Sequence, residues 1–121
     1  MITLYHGGTL ENLKSILKEG FDPGREGTGW GTTYGSGIYL TSDLETARAY
    51  SDSGKVLEVT IKNLKTHKLN RMFRPGSRHD QKILAQLKVA VAYKGINCLV
   101  TPDAEEYIVF GPVKYGKMRL I

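Results

Sequence analysis

Cysteine is almost absent from this sequence. Cys98 stands alone among 121 residues, so no internal disulfide can brace the fold and no cysteine pair can hold a metal ion. It lies in the apolar run INCLV and reads as a small core residue rather than a nucleophile. Long apolar runs are missing as well: nothing approaches the roughly 18 to 20 residues that span a bilayer, and no membrane association is expected. The opening MITLYHGG has neither the basic n-region nor the apolar h-region of a secretory signal. A cytoplasmic site fits, although delivery into another cell by a specialised secretion route would leave no mark on these residues. Histidine is scarce too. His6, His67 and His79 share no helix face, so no metal site is expected.

Acidic side chains are missing from one region. Residues 62 to 94 hold nine Lys and Arg against Asp80 alone, a local charge of +8, while the rest of the chain has eight cations and eleven acids, or −3. A patch this concentrated suits RNA or DNA phosphates, or an acidic protein surface. A solvated face of loop and helix is the competing reading.

What the chain does contain is enough for one domain, 1–121, with a modest core. Leu4 and His6 alternate with Thr3 and Tyr5, the period of a short strand. Thr9 can cap a helix over 10–19 whose stripe is Leu10, Leu13, Ile16 and Leu17, with Gly20 as its stop. Six glycines between 22 and 37 predict a loop. GIYLT follows as a strand, then Ser42 and Glu45 as the capping box of a helix through about Tyr50. KVLEVTIK is the next strand, and 63–78 is expected to be an exposed connection. Asp80 can cap a helix through Tyr93 that buries Ile83, Leu84, Leu87 and Val91. INCLVT, EYIVF and VKYGKMRLI complete about six strands and three helices. Their irregular order predicts an α+β fold with a split, mostly antiparallel sheet.

The glycine loop is no phosphate cradle of a known kind. A Walker motif would end in Gly-Lys-Ser/Thr, and the dinucleotide fingerprint fails because Tyr34 stands where its third glycine should be. Two readings stay open: a plain surface loop, or a flap over a ligand to which Trp30 and Tyr34 offer aromatic faces. The GSG sequence precedes a strand, not a helix, so it is not a nucleophile elbow. His6 by itself reads as a strand-end histidine donating to a nearby carbonyl, but Gly7 and Gly8 behind it let a ligand approach the backbone closely. Glu106 opens EYIVF on the same strand face as Ile108 and Phe110. A carboxylate there is costly if buried alone, so it should border a cleft or be paired. Glu105 is expected to point away into solvent.

Three of these stretches in order, LYHGG (4–8), GSGIYL (35–40) with Tyr50 eleven residues beyond Tyr39, and EEYIVF (105–110), resemble the H-Y-E core of the ADP-ribosyltransferase superfamily. The likeness is greatest to poly(ADP-ribose) polymerase catalytic domains and the diphtheria-toxin type, and it covers nearly the whole chain in a minimal form. The resemblance implies NAD+ as co-substrate and no metal. It implies Glu106, His6 and Tyr39 as the catalytic set, with Tyr39 and Tyr50 on either side of the nicotinamide ring. Gly7 would hold the carboxamide and His6 the adenosine ribose. Gly8, Gly37 and Ala47 would line the NAD+ site, and the 22–34 loop with Trp30 and Tyr34 would cover it.

Some positions depart from the pattern. Ala47 stands where the polymerases usually carry a serine. Ser36 replaces the lysine of their GKGIY, which argues for single-unit transfer over polymer synthesis. Ala104, two residues before Glu106, lacks the carboxylate or amide of arginine-specific toxins. The expected activity is therefore mono-ADP-ribosyl transfer to a macromolecule, nucleic acid through residues 62–94 or protein. The alternatives are an NAD+ glycohydrolase and a non-catalytic module that binds NAD+ or ADP-ribose. An RNA 2′-phosphotransferase, which shares the YHG opening, is disfavoured by Glu106 because that family works with Arg and His.

Overall fold

The computed structural model describes residues 1–21, 37–74 and 76–121. Among them, seven strands and three helices occur in the order β1 (Ile2–His6), α1 (Leu10–Glu19), β2 (Ile38–Thr41), α2 (Leu44–Ala49), β3 (Leu57–Ile61), β4 (Thr66–Lys68), α3 (Arg78–Ala92), β5 (Cys98–Val100), β6 (Glu106–Val109) and β7 (Tyr115–Leu120). The fold is α+β, as the sequence predicts. The strands form one sheet in the order β4-β5-β6-β2-β1-β3-β7. Only the β4–β5 pair is parallel, the other neighbours being antiparallel.

The sheet is weakly joined at its middle. β1 pairs with β3 along its whole length and β2 with β6 likewise. Between β1 and β2 the register holds a single pair, Tyr5 with Thr41. No further register pair joins the two half-sheets among the described residues, and the His6 ring links them by donating from Nδ1 to the Tyr39 carbonyl at 2.8 Å.

Each face has its own core. On one, Leu13 and Ile16 of α1 bury Leu4, Leu40, Leu57, Val59 and Ile61. On the other, Leu84 and Val91 of α3 cover Leu69, Phe73, Leu99 and Ile108, with Ile83 and Leu87 partly buried beside them. This is the α3 stripe that helical periodicity predicts. Cys98 is fully buried in the first core, and burial pushes its thiol up to about 12, so it stays protonated and inert.

Three local expectations need correction. Ser42 does not cap α2. Asp43 does, accepting from the Glu45 N–H at 3.4 Å and the Thr46 hydroxyl at 2.7 Å. Ser42 lies beside the turn that leads into β6 and donates instead to the Ala104 carbonyl at 3.2 Å. Ser77, not Asp80, caps α3, its Oγ accepting the Asp80 N–H at 3.2 Å. The Asp80 carboxylate is buried and turned back onto the preceding loop, where it accepts from the Arg74 N–H at 2.8 Å and Arg71 Nη2 at 3.1 Å. Within the stretch expected to be a bare connection lies β4, Thr-His-Lys. It is too short and polar for any periodicity, and it exists because β5 offers it an edge. Its exposed Lys68 helps keep that edge from recruiting another strand.

Candidate active site

A cavity of about 620 Å³ opens where the half-sheets part, lined by residues of β1, β2, α2 and the turn before β6. Its size falls within the roughly 300–1,000 Å³ of small-molecule sites. His6, Gly7 and Gly8 come to it from the end of β1, Tyr39 from β2, Tyr50 from the end of α2, and Glu106 from the start of β6. Six of the expected site residues are thus brought to one wall system. Gly37 and Ala47 do not line it. Ala47 is buried with its carbonyl against Gly7, and Gly37 is buried under β6. Trp30 and Tyr34 lie outside the described residues, as does Ser36.

Glycine at 7 is demanded by the protein itself. A Cβ there would lie 2.1 Å from the Ala47 carbonyl oxygen and 3.1 Å from the Tyr50 Cβ, so α2 could not sit where it does. Tyr50 is the C-cap of α2, so the close approach at Gly7 is what sets the second tyrosine over the cavity. Gly37 has φ +153, and a Cβ there would lie 2.8 Å from Ile108 Cγ2. Its bareness lets β2 pass close to β6, which aligns Tyr39 with Ile108 and Thr41 with Glu106.

The histidine has a defined tautomer. A carbonyl can only accept, so Nδ1 carries the proton and Nε2 presents a lone pair. The ring packs edge-on against Phe21, centroids 5.3 Å apart. Burial lowers its pKa from the ordinary 6.5, opposed by the bond to the Tyr39 carbonyl. His6 is therefore a neutral acceptor at pH 7.

Glu106 is the opposite case. Its backbone is tied, N–H to the Thr101 hydroxyl at 3.1 Å and C=O to the Thr101 N–H at 3.0 Å, but among the described residues its carboxylate has no hydrogen-bond partner. Burial raises its pKa above the ordinary 4.5, and the nearby Asp103 and Glu105 carboxylates raise it further. A fixed, half-buried and unquenched negative charge on a cavity wall is what stabilises a developing cation.

Sequence reasoning missed the neighbours of Glu106. Glu105 does not point away: it precedes the first paired residue of β6, so strand alternation does not yet govern it. Its Oε1 accepts the Thr46 hydroxyl at 2.8 Å, and its carbonyl accepts the Thr41 hydroxyl at 2.9 Å. Both Glu105 and Asp103 line the cavity. Asp103 bonds the Thr101 hydroxyl and accepts the Glu105 N–H at 3.1 Å. That last bond is an Asx turn, a signal legible in the spacing of Asp103 and Glu105. Ala104, between them, is held at φ 60, a costly conformation for a residue with a Cβ. Nothing in the sequence announces Thr46, whose partner is 59 positions away.

A sequence model of the poly(ADP-ribose) polymerase catalytic domain matches residues 1–73, more than half the chain. The chain belongs to this family. Members use NAD+ as substrate, so membership points to NAD+-dependent ADP-ribosyl transfer. The matched part holds His6, Gly7, Gly8, Tyr39 and Tyr50; Glu106 lies beyond it. Among curated proteins none matches the sequence. Among the described residues no three His, Cys, Asp or Glu side chains gather as a metal site, and no helix is long and apolar enough to cross a membrane.

Proposed function

We propose that this chain is a single catalytic domain, a mono-ADP-ribosyltransferase that cleaves the nicotinamide–ribose bond of NAD+ and transfers ADP-ribose to a macromolecule. The observation that carries this reading is the Glu106 carboxylate, without a hydrogen-bond partner among the described residues, on the wall of the cavity that His6, Tyr39 and Tyr50 also line. Breaking the bond leaves both electrons on the nicotinamide nitrogen. The leaving group, already cationic, departs neutral and needs no general acid. Positive charge grows instead on the ribose, as in glycoside cleavage, and Glu106 stabilises it. Tyr39 and Tyr50 hold the pyridinium ring between aromatic faces, each worth about 0.5–2 kcal/mol. Gly7 offers backbone to the carboxamide, and His6 Nε2 accepts from an adenosine ribose hydroxyl. Transfer of a single unit is favoured by Ser36 in place of the polymerase lysine.

The test is labelled NAD+ offered with lysate protein, RNA or DNA to the wild type and to Glu106→Gln. Label on a macromolecule that disappears in the variant supports the proposal. Free ADP-ribose alone would make the protein a glycohydrolase, and no turnover with retained NAD+ binding would make it a binding module.

A further inference from the structure

The basic segment of the sequence acquires a place in the fold. β4 runs parallel to β5, Lys68 opposite Val100, and Val100 pairs with Tyr107 of β6, the neighbour of Glu106. Lys68 therefore lies two strand spacings, about 10 Å, from the β6 strand start. The chain leaves β4 at the end of the sheet where Glu106 stands and carries Arg71 and Arg74 toward the N-terminus of α3. There Arg78 and Lys82, one turn apart, share a helix face. All five cations are exposed. α3 covers the sheet face that holds Ile108 and Tyr39, and by strand alternation Glu106 shares the face of Ile108.

Two details make this more than a solvated run of charge. The lone acid of the segment, Asp80, ion-pairs with Arg71 alone: its two oxygens are turned inward onto Arg71 Nη2 and the Arg74 N–H, so it does not compensate the side-chain charges of Lys68, Arg78 and Lys82. Arg71 is also pre-positioned: Nη1 donates to the Met72 carbonyl at 3.2 Å, and the guanidinium lies 4.0 Å over the Phe73 ring. Of the five cations, Lys68 acts on the cavity rim: the Asp103 carboxyl is held below its usual range by the Thr101 hydroxyl, by the Glu105 N–H and, to a smaller extent, by the charge of Lys68.

We infer that the surface of Lys68, Arg71, Arg74, Arg78 and Lys82 docks a nucleic-acid strand as the acceptor. The inference rests on the transfer reaction proposed above. The charge layout separates this acceptor from an acidic protein. The rim beside the reacting carbon carries Asp103, Glu105 and Glu106, which repel carboxylates, while the cations stand further back. A nucleic acid divides its chemistry in the same way, with phosphates on its backbone and neutral sugar and base atoms between them. Its phosphates sit on the cations while a neutral oxygen or nitrogen reaches the cavity. That atom bonds to the ribose carbon as the bond to nicotinamide breaks. Neutral nicotinamide leaves, and the acceptor proton passes through Glu106 to solvent.

The test compares wild type with an Arg74→Ser/Arg78→Ser/Lys82→Ser variant and a charge-matched control, Lys14→Ser/Lys18→Ser/Lys117→Ser. Binding of short fluorescent single-stranded RNA and DNA is read by anisotropy, and transfer from labelled NAD+ is measured on both oligonucleotides and on lysate protein. With three phosphate contacts removed, the affinity lost between about 50 and 200 mM salt should shrink by roughly 20-fold relative to wild type. The control should match wild type, and nicotinamide release without acceptor should be unchanged in both variants. Equal binding by all three proteins, or label on protein and none on either oligonucleotide, overturns the inference. If wild type turns over no NAD+, the transferase reading fails, and the docking surface alone stands or falls on anisotropy. The RNA and DNA arms identify which strand is bound.

Discussion

Replacing Glu106 by Gln removes one charge and almost no volume, so its effects on rate and on stability can be worked separately. A carboxylate about 4 Å from a forming cation, in a half-buried site of effective dielectric constant near 20, is worth about 4 kcal/mol. Losing it should slow nicotinamide release by roughly a thousandfold. NAD+ affinity should change little, because the charge on the ribose develops in the transition state. Stability should move the other way. The folded carboxyl has its pKa raised, chiefly by burial and then by Asp103 and Glu105, so ionisation penalises the folded state. The penalty is absent below the ordinary value of 4.5, grows as pH rises toward the folded pKa, and is complete above it. At pH 7 the variant should be more stable by up to about 1 kcal/mol, the scale of a screened charge contact, and the gain should vanish near pH 4. Nicotinamide release under single-turnover conditions and urea melts at both pH values measure the two effects. A variant that keeps wild-type turnover would refute the role given to Glu106. A variant less stable at pH 7 than wild type would show that the carboxylate is satisfied in a way the geometry denies.

Tyr50→Ala should raise KM for NAD+ by about 2- to 30-fold through loss of one aromatic face. Because Tyr50 is 66% exposed, its melting temperature should barely move, and an unchanged KM counts against the ring slot. Gly7→Ala forces a Cβ into the Ala47 carbonyl and should cost about 1–3 kcal/mol. That is on the order of 4–12 °C for a chain of this size; a wild-type melt would show that α2 can retreat. His6 has a depressed folded pKa, so its stabilising contribution is whole above 6.5 and is lost as pH falls through the folded value. NAD+ affinity should decline along the same acid limb, since protonated Nε2 can no longer accept. A His6→Gln variant should lack that limb, and finding it intact there would assign it elsewhere. Cys98, with its thiol pushed up to about 12, should resist alkylation at pH 8 until the protein is unfolded, and rapid labelling of the native state would contradict its burial.

The elements that the sequence made legible are those whose side chains repeat with the period of their backbone. Leu13 with Ile16, Leu84 with Val91, and Leu57, Val59 and Ile61 each mark one face of a helix or strand, and each of those faces is buried. The misread residues are polar ones at element ends. Ser42 and Asp80 each had a local capping role that sequence distance favoured and Glu105 was expected in solvent, and each took a partner set by the fold. A hydroxyl or carboxylate at an end can satisfy any nearby donor or acceptor, and which one is nearest depends on how neighbouring elements meet. β4 was illegible for a related reason: three polar residues form a strand only because β5 presents them an open edge.

The order of His6, Tyr39, Tyr50 and Glu106, and the glycines around them, was fixed along the chain and sufficed to suggest NAD+ chemistry. The cavity was not. It exists because the β1–β2 ladder stops at Tyr5 and Thr41, which lets residues on separate half-sheets face one space. Only the tertiary structure decided that Gly7 is bare for the sake of α2, that Asp103 and Glu105 crowd Glu106, and that the basic stretch leaves the sheet at the end where Glu106 stands. Periodicity reports which face of an element is buried, and it holds no information on which elements converge. That convergence is set by strand order and register, and here it is what puts the Glu106 carboxylate on a cavity wall beside Asp103 and Glu105.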